Sequence, residues 1–234
     1  MIQFSKMNRT SWTSVHALVT LLWILVALYL ALIYAPTDVS QGNVYRIMYI
    51  HVPSGWTAFV AYLLVFLGSV GYLIRRSQTA DDLACAAGEI GFIFCSCVLI
   101  TGPLWAKPIW GIWWTWDPRL TLTFVLWLLF AGYLLVRGFF INPGRAALLS
   151  AVVGIVGFVD VPIDYMAIRW WRTQHPQPVI FGGPNSGLPF SMLLTLLVSF
   201  GAFLCLFFFL LRRRLSLLRM RRDLSHLRRE LAED

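Results

Sequence analysis

Charge is what this chain has least of. Charged residues make up 13% of its 234 positions, only 11 of them acidic, against 59% hydrophobic. So few charges cannot cover a water-exposed surface, which excludes the ordinary soluble globular classes. Cysteine is scarce too. Cys85, Cys95, Cys97 and Cys205 all fall within apolar runs, so no disulfide framework is available between them and the connecting segments. Cys95 and Cys97 stand two apart, which on a helix points them to nearly opposite sides; packing is their expected role. No Gly-x-x-x-x-Gly-Lys-Ser/Thr loop is present, so the chain does not bind ATP by itself. Neither a His-Glu-x-x-His helix nor a serine with a credible base beside it occurs, which removes zinc-protease and serine-hydrolase chemistry.

What the chain has in abundance is long apolar runs. Six qualify as spans: Val15 to Tyr34, Trp56 to Ile74, Leu83 to Trp105, Thr121 to Val136, Ala146 to Ala167 and Pro189 to Leu211. Each is near the roughly 20 residues needed to cross a bilayer core. The expected fold is therefore an all-α polytopic membrane protein with six transmembrane helices. Lys6 and Arg9 precede the first run as in a signal peptide, but the run is long enough to be read as an anchor. An even number of spans puts both termini on one side. That side carries Lys6, Arg9, Arg75, Arg76, Arg137, Arg145 and the eight arginines after Leu211, 14 of 19 basic residues. The bias predicts cytoplasmic N and C termini. The net charge of +8 thus speaks for topology and a lipid bilayer, and not for nucleic acid.

The unusual residues gather in the three connections expected on the opposite face: Ala35 to Gly55, Ala106 to Leu120 and Ile168 to Leu188. Eight of the 11 tryptophans lie in or beside them: Trp56, Trp105, Trp110, Trp113, Trp114, Trp116, Trp170 and Trp171. An aromatic belt at the membrane interface accounts for one or two of these. It does not account for five between 105 and 116. If Ile109 to Asp117 is a short helix, Trp110, Trp113, Trp114 and Asp117 share a face. If it is extended, Trp110, Ile112, Trp114 and Trp116 do. Either arrangement makes a broad aromatic surface flanked by Lys107 and Arg119, suited to a flat, apolar, anionic ligand.

Of four histidines, His16 and His226 belong to the terminal side, and only His51 and His175 belong to the tryptophan-rich side. Neutral imidazole ligates iron well, and two imidazoles can fill both axial positions of a haem. There is no Cys-x-x-Cys-His, so a haem here would be held non-covalently. Three functional classes follow, a haem-transfer factor, a bis-histidine haem b electron carrier and a permease; histidines at the edge of the spans favour the first, and Glu89 with Asp160 and Asp164 is a poor lining for the third.

The run from Trp110 to Thr121, Trp-Gly-Ile-Trp-Trp-Thr-Trp-Asp-Pro-Arg-Leu-Thr, resembles the tryptophan-rich WWD signature of haem-handling proteins of cytochrome c assembly. Size and span number favour the cytochrome c maturation protein C (CcmC) family, also called haem exporter protein C. The likeness extends to Gln41-Gly-Asn-Val-Tyr-Arg46-Ile-Met-Tyr-Ile-His51-Val-Pro53, to Thr101-Gly-Pro-Leu-Trp-Ala-Lys-Pro108 and to Trp170-Trp171 before His175. The resemblance implies haem b with His51 and His175 as axial ligands. Trp110, Trp113, Trp114, Trp116 and Asp117 would form the platform, and Arg46 and Arg119 would face the propionates. It also implies delivery of haem on the periplasmic side to the haem chaperone cytochrome c maturation protein E (CcmE). The named assembly includes the small membrane protein CcmD and the ABC transporter subunits CcmA and CcmB. Such a protein promotes covalent attachment of haem to a chaperone histidine and is a transfer factor rather than an enzyme in the usual sense.

Trp56, Asp160, Asp164, Trp170 and Trp171 are candidates for the cavity or a partner surface. Asp160 and Asp164 stand i, i+4 near the end of the fifth span, with Arg169 or Arg172 as expected partners. Glu89, inside the third span, calls for an interhelical partner. Residues 1–211 are expected to form the haem-handling membrane domain and 212–234 a basic amphipathic cytoplasmic tail. Leu217, Met220, Leu224, Leu227 and Leu231 make the apolar stripe of a solvated or membrane-surface helix.

Overall fold

The computed structural model describes residues 2–176 and 187–233, with side chains outside the first 11 residues, His226 and Glu233. The expected outer segment 168–188 is therefore described only in part, and the side chains of Lys6, Arg9 and His226 lie outside the described residues. The described residues are helical with no strand: α1 (Ile2–Tyr29), α2 (Met48–Arg75), α3 (Gln78–Trp110), α4 (Pro118–Phe139), α5 (Pro143–Gly157), α6 (Asp160–Trp170) and α7 (Phe190–Glu233). A π-helical turn, Leu30–Tyr34, prolongs α1, and a 3-10 turn, Asn43–Ile47, leads into α2. Six segments are long and apolar enough to cross a membrane, with α5 and α6 together making the fifth.

The helices outrun the apolar runs that announce them. Hydropathy detects only the stretch matched to hydrocarbon, whereas the helix ends are set by capping residues further out. Ser77 caps α3, its side chain accepting from Ala80 N, and Arg76 before it turns the chain at φ 52°. Gly111 ends α3 in the left-handed conformation at φ 77°, its N–H reaching the Lys107 carbonyl. Asp117 caps α4, with Pro118 at its first position, and Asn142 with Pro143 does the same for α5. At 33 residues α3 is about 50 Å long, well beyond the ~30 Å hydrocarbon thickness. Its last turns therefore project past the apolar layer.

The fifth segment is broken at Phe158 and Val159. Pro162 has no N–H to offer the Phe158 carbonyl, which takes Val161 N at 3.2 Å instead, one residue short of an α-helical bond. Asp160 therefore opens a new helix rather than continuing the old one.

Small residues let α2 and α3 approach closely. Ala58, Ala61, Ala84 and Ala87 are buried between them with Tyr62, Phe94, Phe130 and Tyr133 around. A Cβ on Gly91 would stand 2.5 Å from the Phe130 ring, so the contact admits only glycine. At the end of the bundle bearing the termini, the α3 acids are all paired. Arg137 grips Asp81 bidentately at 2.6 and 2.8 Å. Glu89 has its interhelical partner in Arg214, and Asp82 meets Arg222. These last two arginines lie on α7, which runs through residue 211 without a break and is tied to α3 on both sides of Leu218. The expected tail is the end of a 44-residue helix, with its leucine stripe exposed.

Candidate functional site: a two-histidine cavity at one end of the bundle

Opposite the terminal end lies a cavity of about 690 Å³, within the ~300–1,000 Å³ typical of small-molecule and cofactor sites. His51, His175 and Arg119 all line it. The rest of the wall is mainly apolar and aromatic: Met48, Val52, Val98, Leu99, Ile109, Leu197 and Phe200, with Trp56, Trp105, Trp110 and Trp114. Two imidazoles and one guanidinium against such walls suit a flat, apolar ligand with a ligatable metal and anionic groups. The Trp114 Nε1 is buried without a hydrogen-bond partner. Among the described residues no cluster of three or more His, Cys, Asp or Glu could hold a bare metal ion. Two imidazole nitrogens suit a metal whose remaining ligands arrive with it.

His51 is not on a loop. It is the fourth residue of α2, three beyond Met48, because the helix begins well before the expected Trp56. Pro53 interrupts this helix by only one hydrogen bond, to the Tyr49 carbonyl. His51 Nδ1 lies 2.9 Å from Thr101 Oγ1, and Thr101 in turn donates to the Cys97 carbonyl at 2.6 Å. Trp105 packs edge-on against the imidazole at 5.8 Å between centroids. The same indole meets Tyr45 edge-on, and its N–H reaches Gln41 at 2.7 Å. One α3 tryptophan thereby joins the loop after α1 to the histidine.

His175 follows α6 in irregular chain. Its Nδ1 donates to the Pro176 carbonyl at 3.0 Å, and its backbone N–H donates to Thr173 Oγ1. Burial against the cavity walls, with the Arg119 guanidinium as a secondary cause, pushes its pKa down to about 4. It is therefore neutral at physiological pH.

Arg119, in the first turn of α4, is held from behind by Asp164. The carboxylate lies 3.3 Å away, and the guanidinium also donates to the Asp164 carbonyl. Thr123 stands within 3.3 and 3.4 Å of the same carboxylate oxygens. Arg119, not Arg169 or Arg172, is thus the partner of Asp164; the i, i+4 reading along one helix could not reach a cation on α4. Arg169 packs over the Tyr165 ring instead. Asp160 is buried beside the chain break, with Oδ2 lacking a partner and no part in the cavity wall.

The tryptophan segment is extended, since Gly111 stops one helix and Asp117-Pro118 starts the next. Trp110 and Trp114 line the cavity; Trp113 and Trp116 do not, and are 55% and 73% exposed. Lys107 lies over the Trp113 ring, and Trp116 packs edge-on against Trp114. Asp117 serves as the α4 cap, accepting from Leu120 N and Thr115. Arg46 is turned away from the cavity, donating to the Ala31 carbonyl and to Asn43, so it anchors the outer loop to α1. Trp56 lines the cavity against Phe200, whereas Trp170 and Trp171 pack on each other at the surface. Thr101, Gln41 and Tyr45 had no role assigned from sequence. Their presence in the family-like segments beginning at Gln41 and at Thr101 was the available sign.

The family model described as Heme exporter protein C matches residues 2–230. Heme exporter protein C of Bradyrhizobium diazoefficiens is 36% identical over 213 residues, covering 87% of this chain and 81% of that protein. The Haemophilus influenzae protein of the same name is 32% identical, covering 87% and 83%. A ccmC-like mitochondrial protein of cytochrome c biosynthesis from Marchantia polymorpha is 32% identical, covering 87% and 88%. With a match along nearly its whole length and relatives of this similarity, the chain belongs to the Heme exporter protein C family.

Proposed function

We propose that this protein binds haem b non-covalently at the periplasmic face of the inner membrane and delivers it to the chaperone CcmE during cytochrome c maturation. The observation that carries the reading is the convergence of His51, His175 and Arg119 on one aromatic cavity. His51 and His175 are the axial ligands. Trp110 and Trp114, with Trp56 and Trp105, supply the walls on which a macrocycle stacks. Arg119, pre-set by Asp164, pairs with a propionate. Arg46 acts through the loop it anchors, and Asp117 through the cap that positions Arg119 two residues later. Trp113, Trp116, Trp170 and Trp171 suit the water–lipid boundary around the entrance.

The basic bias of the terminal side supports cytoplasmic termini and hence a periplasmic site. Placement of the cavity at a bundle end, where another protein can reach it, supports transfer over resident electron carriage. CcmD and the transporter subunits CcmA and CcmB are the expected membrane partners, with the long α7 available on the cytoplasmic side. The purified protein is expected to carry a six-coordinate low-spin haem, and His51→Ala and His175→Ala each to lose or alter that spectrum. Unchanged spectra in both variants refute the ligand assignment. Haem-dependent capture of CcmE by the parent and not by the variants tests delivery; capture that ignores haem in all three refutes it.

A further inference from the structure

We infer that Thr101 is a positioning residue that sets the tautomer of His51, leaving its Nε2 lone pair free for iron. The inference rests on the haem reading above and adds to it how the ligand is prepared. A threonine hydroxyl has one proton. Here Oγ1 lies 2.6 Å from the Cys97 carbonyl and 3.4 Å from that of Val98, and carbonyl oxygens only accept. The proton is therefore committed to the helix backbone, and Oγ1 faces Nδ1 of His51, 2.9 Å away, with a lone pair. The contact is a hydrogen bond only if Nδ1 carries the hydrogen. In neutral imidazole that leaves Nε2 unprotonated, the form a metal requires.

His175 reaches the same state by a different device. Its Nδ1 lies 3.0 Å from the Pro176 carbonyl, which again can only accept. Two unrelated acceptors thus put the proton on the same nitrogen of both rings that line one cavity, as second-shell partners of metal-bound histidines do. The residue after Thr101 helps to hold the ring. A Cβ on Gly102 would stand 3.3 Å from His51 Cε1, so the imidazole rests against bare helix backbone while Trp105 closes its edge. Residues 101, 102 and 105 of α3 thereby fix tautomer, tilt and side. The donated bond also makes imidazole a more basic ligand, which favours the ferric over the ferrous state.

Thr101→Val keeps the shape and removes the acceptor, while Thr101→Ser keeps the acceptor. Nitrogen NMR of histidine-labelled, haem-free protein is expected to show His51 protonated at Nδ1 in the parent and in Thr101→Ser. In Thr101→Val it should show protonation moved wholly or partly to Nε2, with His175 unaltered. With haem added, Thr101→Val is expected to weaken binding by roughly ten- to a hundred-fold and to raise the midpoint potential, and Thr101→Ser to restore both. Parent-like His51 signals in Thr101→Val overturn the inference whether or not haem binds. A moved proton with unchanged affinity and potential overturns its consequence for ligation. Failure of His51→Ala to alter the haem spectrum is the separate result that refutes the haem reading.

Discussion

Asp164→Ala should leave Arg119 as an uncompensated cation in the cavity wall. The two side chains are 18% and 1% exposed, so the pair is shielded from solvent and its partner cannot be replaced cheaply by water. Breaking such a pair from one side costs about 3–5 kcal/mol, most of it the penalty of the abandoned charge. For a chain of this length ~2–4 °C per kcal/mol makes the expected loss in melting temperature about 6–20 °C. The remaining bond from Arg119 to the Asp164 carbonyl, which the substitution leaves in place, argues for the lower part of that range. The assay is thermal unfolding of the detergent-solubilised protein beside haem retention after gel filtration. Adding Arg119→Ala to Asp164→Ala should recover much of the stability, since no charge is then stranded, but not the haem. An Asp164→Ala protein that melts like the parent and keeps its haem would refute the claim that this carboxylate holds the arginine.

His175 predicts a pH dependence of the haem-free protein. Its pKa falls from 6.5 to about 4 on folding, so between those values the unfolded chain binds more protons than the folded one. Stability is therefore highest above pH 6.5 as far as this group is concerned, falls as the pH drops toward 4, and is least below it. The loss should be smaller in His175→Ala; a parent that grows more stable over the same acidification contradicts the sign. In the core, Gly91→Ala drives a methyl to 2.5 Å from the Phe130 ring and 2.7 Å from Ala61 Cβ. Overpacking of this kind costs about 1–3 kcal/mol and should be read as a lowered melting temperature, partly relieved by Phe130→Leu. No change in Gly91→Ala would mean that α2, α3 and α4 are less tightly packed than described.

Much of the architecture was legible before any coordinate. Six spans follow from six apolar runs, because hydrophobic burial sums along the chain and needs no partner to be named. The WWD-like run and the separation of His51 and His175 from the other two histidines marked the end of the bundle that holds the cavity. Less legible was where helix yields to loop. His51 was expected in a connection and stands in α2, since the helix starts at Met48, where Met48 and Tyr49 are buried against Ala31, Ala35 and Leu196, contacts that a local run of sequence does not reveal. That the tail continues α7 and meets α3 through Arg214 and Arg222 was likewise out of reach, since those acids are far away in sequence.

The amino-acid order alone determined the class, the number of spans, the asymmetry of charge and the family resemblance, all of which depend on composition and short-range pattern. Tertiary structure decided which side chains meet. It set Arg119 against Asp164 rather than Arg169 or Arg172, tied Arg46 to the Ala31 carbonyl, and chose Trp110 and Trp114 over Trp113 and Trp116 for the cavity wall. The physical reason is that a meeting across helices depends on their rotation and depth, which the interlocking of side chains sets collectively. No local stretch of sequence carries that information.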